Sequence, residues 1–430
     1  MVRELGAFER ALTRSGLYAP FNVVSVARIE GRLAPETLSA ALEHVQRRHA
    51  FLRVRIQPAR GRFFFADAGS VEIPLEIIPR RHDDEWLAVV EAEFSRPIDS
   101  AHGPLLRCSF LPPREDRRGE IILTHHHTIM DGVAIVGLWR ELLEACAQIQ
   151  AGAPPSAGAG EAPIPPAEES LFPPSYRGWR GDLRLLRFGL GQFWDEALFN
   201  LRMLGRPVPK VRNGAKGKAF SITFDDAQTS AIAYRCRREG ITLNSALNAA
   251  MLLAVNRRLY RGQSLLMRTF SFADLRPSLA AAPPLEQLGC FISMLRYTVP
   301  VTNAMDFWEL ARLLHQRIYH SLKSGDKFSA ARLAETLIRM LVGTRMFRYG
   351  NTALSYSGLT DLGTGYGGLR LLGLHGFIAG FDLGPEFSAN VNLFKDRLIW
   401  DFVYLDTDMD GATAREISED IRGILAKAIS

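Results

Sequence analysis

Four cysteines in 430 residues, Cys108, Cys146, Cys236 and Cys290, are too few and too far apart for a disulfide framework. No CxxC pair is present, so a zinc knuckle is not suggested either. The first residues, Met1-Val2-Arg3-Glu4-Leu5-Gly6, run on into more charge and lack the apolar core of a secretory signal. The most apolar helical stretch, Leu243 to Val255, is interrupted by Asn244 and Asn248 and followed by Arg257-Arg258. It is too short and too polar to span a bilayer. Helix-turn-helix, zinc-finger and RNA-recognition signatures are missing and the arginines are scattered, which argues against nucleic acid as a partner. A reducing cytoplasm is the expected compartment.

What is present is the composition of an ordinary folded protein, with 47 % hydrophobic and 23 % charged residues. The length exceeds one typical domain and suits two, each with its own core. A net charge of +6 favours anionic partners such as the phosphates of coenzyme A or an acidic carrier protein.

Asn22 to Ile29 is a β-branched run, and Gly31 to Pro35 a turn that sets Pro35 in the first turn of a helix. Leu38, Ala41, Leu42 and Val45 recur at helical spacing as far as His49. Phe51–Ile56 and Arg62–Ala66 read as strands, the latter with Phe63-Phe64-Phe65 buried. Ile121 to His125 is a short apolar strand running into further histidines, and from Val133 the residues Val136, Leu138, Leu142 and Cys146 mark an amphipathic helix, with Trp139 and Leu143 flanking the stripe. Residues 151–169 (AGAPPSAGAGEAPIPPAEE) read as an irregular linker. The expected division is therefore 1–175 and 176–430. Beyond it a helix is expected over 182–204, then a basic loop with Lys210, Arg212, Lys216 and Lys218. Strands are expected at 220–224, 264–272 and 390–394, the last with a return strand at 398–404 around Lys395-Asp396-Arg397. A helix over 242–258 is expected to be capped by Thr242. Met294 and Met340 read as core. The alternation implies an α/β (α+β) fold with mixed sheets.

The chemistry is concentrated in His126-His127-Thr128-Ile129-Met130-Asp131-Gly132, on the turn between a strand end and a helix start. A neutral imidazole near pH 7 can take a proton from an attacking hydroxyl or amine and return it to a leaving thiol. Asp131 can buttress the turn, and Gly132 permits a close backbone approach. A metal site is the competing reading: neighbours on an extended segment point to opposite faces, so His125 and His127, with Asp131, would be the three ligands of a facial triad.

The run His126 to Gly132 fits HHxxxDG, and the chain resembles the condensation-domain superfamily: nonribosomal peptide synthetase condensation domains, stand-alone lipid and alcohol acyltransferases, and chloramphenicol acetyltransferase. Further similar stretches are Glu30-Gly31 with Leu38, Ala41-Leu42 and Arg48-His49-Ala50-Phe51-Leu52-Arg53; Ala273-Asp274-Leu275-Arg276-Pro277; Leu288-Gly289-Cys290-Phe291-Ile292-Ser293; Leu354-Ser355-Tyr356-Ser357-Gly358; and Ser388 to Phe394. Ala50, Cys290 and Tyr356 stand where the family commonly has Pro, Asn and Asn. The plant motif DFGWG is absent, Gly380-Phe381-Asp382-Leu383-Gly384 being a distant echo.

The resemblance implies two chloramphenicol-acetyltransferase-like subdomains forming a pseudo-dimer with a tunnel between them, and a monomeric enzyme. It implies an acyl thioester donor, on the phosphopantetheine of an acyl carrier protein or as acyl-CoA, and a small-molecule alcohol or amine acceptor, with no tightly bound cofactor and no metal. His127 would be the general base, Gly132 N–H an oxyanion donor, and His126 a structural neighbour behind the loop. Asp131 would be a scaffold paired with Arg276, and Ser355 a tunnel or oxyanion hydroxyl. The loop from Lys210 to Lys218 would meet the carrier protein or coenzyme A, or simply be solvated. The products would be esters or amides of natural-product or lipid biosynthesis. The alternative implied by the same fold is a non-catalytic module that recruits a carrier protein or partner enzyme.

Overall fold

A computed structural model describes residues 2–114, 118–156, 160–202, 214–344, 349–380 and 383–429. The described chain forms two compact units, each a mixed α/β structure built on a six-stranded sheet. The first comprises 1–171, 281–291 and 359–379, and the second the rest. The first crossing therefore falls just ahead of the expected division at 175/176. That single division is also too simple, because two later segments return to the first unit. The later of the two carries a strand, Leu369–Ile378, that pairs antiparallel with Asn22–Glu30 from Arg370↔Glu30 to Ile378↔Val23.

In the first unit the strand Arg118–His126 lies inside the sheet, antiparallel to Asn22–Glu30 on one side and to Leu106–Leu111 on the other. A strand with two neighbours and covered faces reads as an unbroken apolar run, and Ile121, Ile122 and Leu123 are fully buried. The helix Pro35–Arg48 packs on the helix Gly132–Gln150. His49, at the end of the former, is buried with its Nε2 2.7 Å from Glu141 Oε2 of the latter. Trp139 and Leu143 do not flank a stripe; both are fully buried.

Two expectations in this unit change. Phe51 does not open a strand: Ala50–Arg53 is a 3-10 turn that buries Phe51 and Leu52, and the strand runs Val54–Ala59. The linker is irregular only in part. Its last residues form the turn Glu168–Leu171 and cap the helix Ala7–Tyr18, Phe8 N–H donating to Glu168 Oε1 at 2.8 Å and Ala7 N–H to Glu169 Oε2 at 3.1 Å. Carboxylates belong at a helix N-terminus, where unpaired N–H groups and the positive end of the dipole meet. Burial, with Glu169 and Glu9 nearby, pushes the Glu168 carboxyl well above the usual range.

The second unit's sheet contains Ile292–Val301, Leu265–Asp274, Thr352–Leu359, Phe387–Phe394, Arg397–Leu405 and Gly217–Phe224 in that order. The expected hairpin is present, joined by Lys395 and Asp396 with φ of 49° and 58°. Positive φ at both central residues is the turn that follows the right-handed twist of the strands. The helix Leu243–Tyr260 starts at Thr242, which accepts from Ser245 N–H, and is buried almost all round, as an apolar helix covered by sheet and helices must be. Met294 is half-buried, but Met340 is 61 % exposed and not core. The helix expected over 182–204 begins earlier, at Gly178. Lys210 and Arg212 of the basic loop, and Phe381-Asp382, lie outside the described residues. Among the described residues no helix is long and apolar enough to cross a membrane, and the four cysteines are buried thiols outside any disulfide.

Candidate functional site

The histidine run starts where the strand Arg118–His126 stops. Ile129 N–H donates to His126 C=O at 3.2 Å, closing a turn, and the helix Gly132–Gln150 follows at once. Asp131 is its N-cap: Oδ1 accepts from Val133 N–H and Ala134 N–H at 3.0 Å each. The cap takes two of the helix's open donors and leaves the N–H of Gly132, the first helical residue, outside it. The second oxygen of Asp131 accepts from Phe291 N–H at 2.8 Å, and Asp131 N–H donates to Gly289 C=O at 3.2 Å. One carboxylate thus joins the motif turn to the segment 289–291 within the first unit. A Cβ on Gly289 would stand 2.4 Å from the Phe291 ring, so this approach requires glycine.

The three histidines have three environments. His125 is 1 % exposed and faces the core, where burial pushes its pKa well below the ordinary value. His126 Nδ1 stands 2.9 Å from Thr128 Oγ1 and receives Thr128 N–H at 3.4 Å. That nitrogen is therefore the acceptor and Nε2 carries the proton. Gly16 lies against Nε2, where a Cβ would approach to 3.1 Å. Burial, then the charge of His127, bring the His126 pKa down to about 4.

His127 differs in being oriented by a carbonyl. Its Nδ1 lies 3.1 Å from Met130 C=O, which can only accept, so Nδ1 bears the proton and Nε2 keeps its lone pair. The ring stacks on Phe21 with centroids 6.5 Å apart and meets His125 edge-on at 6.4 Å. Burial lowers its pKa, offset by the Met130 carbonyl and the Asp131 charge. The product is a neutral imidazole with a fixed tautomer and one unprotonated nitrogen, the form a general base needs.

The first unit thus brings together His125, His126, His127, Asp131 and Gly132. Arg276 and Ser355 belong to the second unit. Arg276 is buried beside Asp274, Nη1 to Oδ1 at 3.1 Å, and Ser355 is half-buried on the strand Thr352–Leu359. Among the described residues no three His, Cys, Asp or Glu side chains stand where they could share a metal ion, and the facial-triad alternative therefore lacks its ligand set. Residues that spacing did not single out are Phe21, Thr128, Gly16 and the Met130 carbonyl. Thr128 and Met130 sit inside the motif at its variable positions. Phe21 and Gly16 carry no local signal, since their role arises only from tertiary contact.

Residues 16–162 match the family model of the condensation domain, and residues 216–336 that of the phthiocerol/phthiodiolone dimycocerosyl transferase C-terminus. One of the linear gramicidin synthase proteins of Brevibacillus parabrevis is 31 % identical over 276 residues, covering 61 % of this chain and 5 % of that protein. Phosphinothricin tripeptide synthetase PhsC of Streptomyces viridochromogenes is 27 % identical over 319 residues, 71 % of this chain and 28 % of its own. The chain thus spans a small part of the length of these relatives. Among solved structures, polyketide synthase associated protein 5 from Mycobacterium tuberculosis superposes with a TM-score of 0.71 at 17 % identity, over 100 % of this chain and 98 % of that one. The TRI3 trichothecene 15-O-acetyltransferase from Fusarium sporotrichioides gives 0.75 at 12 %, over 99 % and 95 %. Residues 16–162 thus resemble a condensation domain, and the chain has the fold of condensation domains.

Proposed function

We propose that the protein is an acyltransferase that moves an acyl group from a thioester to a hydroxyl or amine, with His127 as the general base. The observation that carries this reading is the Met130 carbonyl on His127 Nδ1, which leaves Nε2 free to accept a proton. In the proposed step the acceptor's O–H or N–H gives its proton to Nε2 as its lone pair attacks the thioester carbonyl carbon. The tetrahedral intermediate carries its negative oxygen towards the N–H of Gly132, at the positive end of the helix. Collapse breaks the C–S bond, and the imidazolium returns the proton to the leaving thiolate. Atoms and charge balance without a covalent enzyme intermediate. Base catalysis of this kind is worth roughly 10²–10⁴-fold.

His126 and Asp131 act in this reading by holding the turn. Arg276 and Ser355 enter it as the scaffold arginine and an acceptor-side hydroxyl carried over from the family's motifs. The donor is acyl-CoA or an acylated carrier protein, as for the starter condensation domain of rhizomide synthetase, described in complex with C8-CoA. The acceptor class is an alcohol or an amine.

The test is thiol release and product mass with octanoyl-CoA and with octanoyl-loaded acyl carrier protein, each against a panel of aliphatic alcohols and amines. Acceptor-dependent release, lost in His127→Ala with the fold intact, supports the proposal. Equal turnover by His127→Ala would sink the base assignment. Carrier binding without transfer from any donor would favour the non-catalytic recruitment module.

A further inference from the structure

The helix Gly178–Arg202 has a face that the proposed chemistry does not use. It runs for 25 residues, about 37 Å. One side is built into the second unit. Phe199 is core, Phe188 packs on it, and the guanidinium of Arg268 lies 3.6 Å from the Phe199 ring centroid. Beside them the buried Arg268 and the half-buried Arg296 meet the helix's Asp195 and Glu196, with Arg296 Nη1 to Glu196 Oε2 at 2.9 Å and Arg268 Nη2 to the same oxygen at 3.0 Å. These contacts fix which way the helix faces.

The opposite side carries Trp179, Leu183, Leu186, Leu190, Trp194 and Leu201, at steps of three, four or seven residues, and each is 52–72 % exposed. Scattered apolar residues on a surface are ordinary, but a continuous stripe of this length is not. Along one flank stand Arg180, Arg184 and Arg187, none paired with a carboxylate among the described residues. Arg184 lies over the Tyr176 ring at 4.8 Å and Arg180 over Trp179 at 5.3 Å, so both are braced by aromatic faces with their N–H edges available. The same arginines border a groove of about 850 Å³ that also includes Tyr176, Asp326 and Ser329. Three guanidinium groups against one carboxylate leave it net cationic.

An apolar stripe with large aromatics beside an arginine flank is the pattern of a helix that lies in a bilayer interface, apolar face about 5–10 Å below the headgroups. A protein partner would be expected to offer carboxylates and its own apolar patch. The stripe is instead unbroken by polar side chains over its length, and the cations run beside it in a parallel row, which suits a plane of phosphates above a plane of acyl chain. We propose that the helix Gly178–Arg202 docks the protein on an anionic lipid surface, its Trp/Leu face in the acyl boundary and Arg180, Arg184 and Arg187 on headgroup phosphates.

The experiment is co-sedimentation of the full chain with vesicles of phosphatidylcholine plus phosphatidylglycerol and with phosphatidylcholine alone, at low and high salt. Wild type should pellet with the anionic vesicles, less so at high salt, with a blue shift of tryptophan emission. Replacing Arg180, Arg184 and Arg187 by Gln should weaken binding about 10²-fold, since each surface cation is worth about 1 kcal/mol. Replacing Leu186, Leu190 and Trp194 by Gln should abolish it. All six side chains are exposed, so melting temperature and thioester chemistry should be unchanged, separating this proposal from the catalytic one. Wild type left in the supernatant, equal pelleting with neutral vesicles, or a solution dimer that the apolar triple variant dissociates would overturn it.

Discussion

Asp131→Ala is the perturbation with the most closely specified consequence. The carboxylate, 1 % exposed, accepts three backbone N–H bonds, two at the start of the motif helix and one from Phe291. Loss of an N-cap costs about 1 kcal/mol. Leaving the buried Phe291 N–H without an acceptor adds about 1–3 kcal/mol. The sum, about 2–4 kcal/mol, corresponds to a fall of about 5–15 °C in the melting temperature of a unit this size. Asp131→Asn makes the case sharper. Its amide oxygen can keep the helix cap, but the amide nitrogen then faces Phe291 N–H, donor against donor. The Asn variant should therefore fall between wild type and Ala. Calorimetry of the three proteins, with urea midpoints as a second measure, checks the order. An Ala variant melting within about 1 °C of wild type, or an Asn variant less stable than Ala, would refute the clamp.

The histidines predict an acid sensitivity of definite sign. His126 titrates at about 4 in the fold against about 6.5 unfolded, so the unfolded chain binds the extra proton and stability is lost as pH falls from 6.5 towards 4, by up to about 3 kcal/mol. His126→Gln should flatten that limb, as urea midpoints at neutral and acid pH will show. For His127 the pKa is lowered by burial, so the acid limb of kcat/KM should lie below 6.5, as a pH-rate profile will reveal. Gly289→Ala should displace the Phe291 ring, which a Cβ would meet at 2.4 Å, and lower the melting temperature without touching His127. Glu168→Gln should be tolerated far better than Glu168→Ala, because the amide oxygen still caps Phe8 N–H; thermal melts decide.

The motif and its immediate frame were legible because they are local. An apolar strand, a turn and a helix start follow one another from Ile121 to Val133, and the hairpin at Lys395-Asp396 announces itself by its flanking alternation. Asp131 was expected to buttress the turn, and by resemblance to pair with Arg276; its role as the helix cap comes from the structure. Its bond to Phe291 was not legible, as that depends on a segment 160 residues away. The strand Leu369–Ile378 was missed for the same reason: nothing in its own sequence says that it pairs with Asn22–Glu30. Phe51 misled because an aromatic beside Leu52 fits a strand and a buried 3-10 turn equally well. Glu168 and Glu169 looked like the tail of a proline-rich linker because helix capping in trans leaves no local pattern.

The late strand has a consequence for how the chain is made. Until the ribosome has delivered Ile378, the strand Asn22–Glu30 lacks a neighbour on one side, and its row of amide and carbonyl groups is an open template for other nascent chains. Expression of residues 1–171 alone should therefore give a sticky, sheet-edged fragment. Co-expression with a separate piece spanning 359–379 should rescue its solubility, making the enclosing strand a handle for a split protein whose assembly can be switched on.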